Sequence, residues 1–237
     1  MRVVRTISNP TPKSPERAGS GLQSGGFAPK GTFIADWTGA VHEPDFIRLE
    51  GEFVDLLPLV PDHADVTLGW RGGARARLLN RGATSAEQQR NWIATRPTSE
   101  RNYLIVLKDQ TPVGMVSLVD IDMVARKAEP ARFLIGDQDA VRGVPVAAEA
   151  LFLLYRHAFD VLGLHRLYGT IAAPNQPMMK FHEYSGMRRE GVLRDHLFLD
   201  GEFHDGIVYG LLESEYRSVT TRRLQGLVAM GRRTSQP

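Results

Sequence analysis

The chain has 237 residues, 42% hydrophobic and 24% charged, with 29 Lys plus Arg against 27 Asp plus Glu and no Cys. That length is enough for a sizeable core without staples, and the lack of Cys excludes disulfides, thiolate metal sites, iron–sulfur clusters and a cysteine nucleophile. No apolar run reaches the roughly 18 residues of a membrane-spanning helix, and Met1 to Pro12 lacks a hydrophobic signal-peptide core, so a soluble cytoplasmic protein with no membrane partner is expected.

The charge is unevenly placed. Residues 1–46 are nearly balanced, with five bases and four acids, and are rich in Pro, Gly and Ser, as in Asn9-Pro10-Thr11-Pro12 and Gly19-Ser20-Gly21. Such a stretch cannot bury enough surface to offset its ordering and reads as a flexible extension. Residues 217–237 carry Arg217, Arg222, Arg223, Arg232 and Arg233 with no acid, and read as a basic C-terminal tail. Residues 47–216 therefore hold an excess of acids over bases. The basic character of the chain belongs to its tail and does not assign the substrate; a nucleic-acid partner is not expected.

Ile47 to Val60 alternates in part, with Gly51 suggesting a turn between two short strands. Asp62–Trp70 and Ser85–Thr95 read as short helices, the second opened by Thr84 or Ser85 as N-cap with Glu87 in its first turn. Tyr103–Lys108 and Val113–Asp120 flank Asp109-Gln110-Thr111-Pro112 as a hairpin. Ala131–Ile135 is a further strand. Val144–Leu162 is a long helix, with Val146, Ala150, Leu151, Leu154 and Ala158 at helical spacing and Gly163 ending it. Arg166–Ala173 follows as a strand, Met178–Tyr184 as a short helix, and Gly191–Phe198 with Phe203–Leu211 as a hairpin turning at Asp200-Gly201. The order predicts an α/β fold whose mixed sheet pairs in hairpins except around the long helix, where a strand–helix–strand crossover makes a parallel pair. A ligand site is expected where the strand before Arg142 meets the helix after it.

This order, with Arg142-Gly143-Val144-Pro145-Val146-Ala147 opening the long helix and Asn175-Gln176-Pro177-Met178-Met179-Lys180-Phe181-His182 beyond the next strand, resembles the GNAT superfamily of N-acetyltransferases over about Ile47 to Arg217. The resemblance implies the GNAT fold, a mostly antiparallel sheet with a central parallel splay, over an acyltransferase domain at 47–216. It implies acetyl-CoA as acyl donor; no metal is expected, because the seven His are scattered without metal-ligand spacing. The donor's pyrophosphate is expected on Arg142, Gly143, Val146, Ala147 and Ala148, at a helix N-terminus whose amides are free. Pro145 stands where the family usually has its central Gly and cannot donate an N–H. Leu134 and Ile135 are expected on the thioester, and Asn175 on the CoA arm.

The family's Tyr, seven residues after the Asn, is His182 here. An ordinary imidazole could act as acid or base at neutral pH, which makes it the candidate to protonate the leaving thiolate. The candidate base is Glu129, with Asp205 or Asp195 as second choice. Without Cys, attack by the amine is direct. Arg189-Glu190-Gly191, Arg194-Asp195, Asp200-Gly201 and Tyr209-Gly210-Leu211-Leu212 further resemble the group containing ribosomal-protein N-terminal acetyltransferases and nucleotide-amino-sugar N-acetyltransferases. On that likeness Trp70, Arg71 and Asn80 would bind the acceptor, a small-molecule amine whose best candidate is a nucleotide-linked amino sugar. An acetyltransferase of protein N-termini or side chains is the alternative. A third reading, an altered acyl donor or a non-catalytic binding role on the same fold, draws on Pro145 and His182. The group often dimerises, so a homodimer is a further expectation.

Overall fold

The computed structural model describes residues 47–79 and 82–234; the extension at 1–46 and the candidate Asn80 lie outside the described residues. Eight strands form one sheet in the order β1-β2-β3-β4-β5-β6-β8-β7. β1 (Leu49–Glu50) and β2 (Val54–Pro58) are followed by α1 (Ala64–Arg71) and α2 (Ala86–Ala94), then β3 (Arg101–Leu107), β4 (Pro112–Asp122) and β5 (Lys127–Ile135). α3 (Val146–Arg156) crosses to β6 (Arg166–Ala172), and α4 (Gln176–Ser185) leads to β7 (Arg188–Leu199) and β8 (Glu202–Leu212). A short α5 (Glu213–Glu215) and a wide turn at Tyr216–Thr220 run into α6 (Thr221–Thr234).

The local signals act as read. Ser85 caps α2 by accepting from Gln88 N at 3.2 Å. Asp200 and Gly201 both take positive φ (52° and 86°), the left-handed pair that a two-residue hairpin turn needs. β5 begins at Lys127, four residues before the expected Ala131, because β4 and β5 are a continuous hairpin paired from Asp122↔Lys127; the charged and Pro-containing start of the strand hid it. The long helix is regular only to Arg156 and closes in a wider turn, His157–Val161, before Gly163 at φ +64°.

α3 supplies the main core, with Leu151, Leu153, Leu154 and Tyr155 buried against Tyr103, Ile105, Val116, Leu118 and Leu167. A second cluster, around Leu104, Val106, Met115 and Leu134, lies under Ala64, Ala76 and Ile93 of the α1–α2 region. Among the described residues β5 and β6 are the one parallel pair, and they pair only at Lys127↔Arg166 and Ala128↔Leu167. Beyond those two residues the strands part.

The segment read as a basic tail is instead helical and folded on the domain. Leu224 and Val228 are buried in the main core with Tyr216 and Val146, and Arg232 pairs with Glu52. Leu224, Leu227 and Val228 of α6 recur at a spacing of three to four, which puts them on one face. Leu224→Asp buries a carboxylate in that core; thermal unfolding should show a loss of about 3 kcal/mol.

Candidate active site

The parting of β5 from β6 opens a cleft of about 810 Å³. Its walls are Glu129 to Ile135 of β5, Tyr168 to Ala172 of β6, Asn175, Met178 and His182 of α4, Ala147 of α3, and Arg71, Trp92 and Glu100 from the α1–α2 side. The opening is built into β5 by a bulge: Ser117 pairs with Ala131 and Met115 with Leu134, so one residue of β4, Val116, faces two of β5, Arg132 and Phe133. The bulged Arg132 sits at φ +54°, a conformation that disfavours a side-chain-bearing residue by about 1 kcal/mol.

Glu129 lies where the strands separate. Burial pushes its carboxyl above the usual range, and Asp120 adds to that; a backbone N–H from Thr170 and the cation of Arg132 pull the other way. A carboxylate held this way is a better proton acceptor near neutral pH than an exposed one. Asp205 and Asp195, the second-choice bases, do not line the cleft. Asp205 Oδ1 accepts from Asp195 N at 3.0 Å and so fixes the irregular stretch of β7 where Asp195 turns to φ +49°.

His182 reaches the cleft wall from α4, but its Nδ1 is sealed from solvent with no hydrogen-bond partner among the described residues. Burial depresses its pKa from 6.5 to about 4. At pH 7 it is a neutral imidazole, and the double role open to an ordinary His is gone. The sign of its linkage follows. The unfolded chain takes up a proton near 6.5 and the folded chain only near 4, so His182 lowers stability as pH falls through that window. At pH 5 the loss is about 2 kcal/mol. Chemical denaturation at pH 7 and pH 5 should show His182→Phe losing less stability between the two than the parent.

At the N-terminus of α3, Pro145 is the residue ahead of the first helical turn, not within it. The N–H of Val146 is turned back onto Val144 O (2.8 Å), and the first intrahelical bond runs from Glu149 to Pro145 O (3.0 Å). The N–H groups of Ala147 and Ala148 come before it and are the ones this helix end presents. The side chains of Val146 and Ala148 are core, and with the Val146 N–H committed to Val144 O, only the backbone of Ala148 could serve a donor. Arg142 is 83% exposed and pairs with Asp139 at 2.9 Å. Gly143 takes φ +80°; neither Arg142 nor Gly143 lines the cleft. Leu134, Ile135, Ala147 and Asn175 do, and Asn175 also caps α4 by accepting from Met178 N (3.4 Å).

Of the acceptor candidates, Arg71 lines the cleft and Trp70 does not. Burial together with the nearby cation Arg132 lowers the pKa of Arg71. Trp70 packs with the second core cluster, its ring so close to Gly136 that a Cβ there would fall 2.1 Å from Cγ. Trp92 lines the cleft with Arg96 and Arg132 over its ring, at 4.4 and 5.1 Å. Sequence reading missed Glu100, Arg132, Tyr168 and Thr170, whose proximity arises from strand register and leaves no local motif.

Residues 54–188, more than half of the chain, match the acetyltransferase (GNAT) domain family. The chain belongs to that family. It is 29% identical over 133 residues to the SPbeta prophage-derived uncharacterized N-acetyltransferase YokL of Bacillus subtilis (strain 168), covering 56% of this chain and 73% of the relative. It is also 29% identical over 118 residues to spermidine N(1)-acetyltransferase of Escherichia coli (strain K12), covering 50% of this chain and 61% of that protein. Its fold is that of a GCN5-related N-acetyltransferase from Brucella melitensis, with a TM-score of 0.66 at 24% identity over 78% of this chain and 86% of the other. The chain is thus an acetyltransferase enzyme of the GNAT type.

Proposed function

We propose that the protein transfers an acetyl group from acetyl-CoA directly to a primary amine of a small molecule, with Glu129 as the base. The observation that carries this reading is the placement of Glu129 at the parting of β5 and β6, with its carboxyl titrating above the usual range. Acetyl-CoA would supply an activated acyl group as a thioester. The chain's own residues do the rest. Glu129 takes the proton of the incoming ammonium, directly or through a water, because the amine attacks only when uncharged. The backbone of Leu134 and Ile135, where β5 has left β6, faces the thioester carbonyl. The amides of Ala147 and Ala148 hold the donor's pyrophosphate, with the exposed Arg142 just ahead of α3 adding charge. His182, as a neutral imidazole, is a weak proton donor to the thiolate.

For the acceptor, a nucleotide-linked amino sugar is supported by Arg71, which can grip an anionic group bidentately. Trp70, packed against the second core cluster, does not line the cleft and adds nothing to that reading. The E. coli relative's name points to spermidine as substrate of that protein, and the acids Asp120 and Glu129 beside Tyr168 suit an acceptor with more than one ammonium. Amines of protein N-termini are the alternative. Release of free thiol from acetyl-CoA over a panel of amino sugars, polyamines and peptides separates these readings: the acceptor that drives release identifies its class. Arg142→Glu should weaken acetyl-CoA binding about tenfold in calorimetry, since charge reversal opposes the pyrophosphate.

A further inference from the structure

Arg132 is the bulged residue of β5, and the groups that grip its side chain come from other elements. Glu100, one residue ahead of β3, takes both terminal nitrogens, at 3.0 and 3.1 Å. Asn102 Oδ1 accepts from Nη1 at 3.1 Å, accepts from Ser117 Oγ at 2.6 Å, and the Asn102 amide donates to Glu100 Oε2 at 3.1 Å. Trp92 of α2 lies under the guanidinium. The Glu100 side chain is 10% exposed and that of Arg132 24%, so the pair is largely out of water. There a bidentate pair is geometrically strict, and a cation deprived of its partner acts on its neighbours.

We propose that Glu100 is a positioning residue for the transfer reaction, acting through Arg132: its grip holds the bulge that parts β5 from β6 and keeps the guanidinium engaged at the β3 and α2 wall instead of on Glu129. This rests on Glu129 as the base. The charged and titratable groups that face Glu129 are Asp120 from β4, Arg132 from β5 and Tyr168 from β6, with His196 of β7 and Arg71 of α1 farther along the same walls. Of these, Arg132 is the cation that acts on Glu129. Balanced by Glu100, it leaves burial in control. Unbalanced, it makes Glu129 a weaker base and frees the bulge to close.

The test is a carboxyl carbon NMR titration of Glu129, assigned with Glu129→Gln, run beside the pH profile of kcat/KM. Glu100→Gln should lower the Glu129 midpoint by about one pH unit, move the acidic limb of kcat/KM with it, and reduce the plateau about tenfold. In an Arg132→Gln background the same substitution should leave midpoint and plateau nearly unchanged. An unmoved midpoint in Glu100→Gln, or an equal shift in both backgrounds, overturns the proposal. If the midpoint moves while the limb does not, Glu129 is not the base, and the hold of Glu100 on Arg132 stands without it. Should Glu100→Gln fail to fold, Glu100→Asp keeps the charge and shortens the reach. It should hold the midpoint while kcat falls, and a kcat equal to the parent's would count against the positioning role.

Discussion

Replacing Glu129 by Gln should leave acetyl-CoA binding unchanged and lower kcat/KM by about a hundredfold, the span expected for loss of one positioned base. The amide keeps the shape of the side chain and its contact with the N–H of Thr170, so a folding defect is not the expected cause. The pH profile carries the sharper information. Because burial raises the Glu129 carboxyl, the parent's kcat/KM should fall on an acidic limb above the ordinary carboxylate range, and that limb should vanish in Glu129→Gln. Steady-state rates between pH 5 and pH 9, with acetyl-CoA binding measured alongside by calorimetry, check both statements. An unchanged kcat/KM would move the base elsewhere in the cleft.

The largest stability effect is expected at Glu149, which touches no substrate. Its carboxylate, buried in the first turn of α3, accepts from three successive backbone N–H groups, Glu52 (2.6 Å), Phe53 (2.7 Å) and Val54 (2.8 Å). It ties the start of the sheet to the helix end that presents Ala147 and Ala148. Glu149→Leu leaves those donors unpaired, at a loss of about 4 kcal/mol, or on the order of 10 °C in Tm for a chain of this size. Since the same contact fixes the N-terminus of α3, acetyl-CoA binding should weaken in parallel. Differential scanning calorimetry with and without acetyl-CoA reads both, and a variant as stable as the parent would mean that solvent replaces the carboxylate at no loss.

Much of the fold is legible along the chain because its signals are local. Ser85 caps α2, Asp200-Gly201 turns β7 into β8, and the apolar period of α3 marks the crossover that makes β5 and β6 parallel. α6 carried such a signal too: Tyr216, Thr220, Leu224 and Val228 recur every four residues, a stripe obscured in the sequence by the five arginines interspersed with it. The site divides the same way. Glu129 stands out as a candidate because it lies just ahead of the strand expected at Ala131, although β5 takes it in, whereas Arg132 and Glu100 lie 32 residues apart and meet only through the register of β3, β4 and β5. The fate of Trp70 depends on how close α1 comes to Gly136, and the charge of His182 on how fully its ring is enclosed. Neither is a property of the residue type.

The catalytic reading meets its most direct test in one assay: thiol released from acetyl-CoA in the presence of a primary amine, with the acetylated amine quantified by mass spectrometry in the same samples. Thiol and N-acetylated product should appear in equal amounts with the parent, and both should fall about a hundredfold with Glu129→Gln. Thiol release at the no-amine background across amino sugars, polyamines and peptides, from a protein that also fails to bind acetyl-CoA, would contradict it.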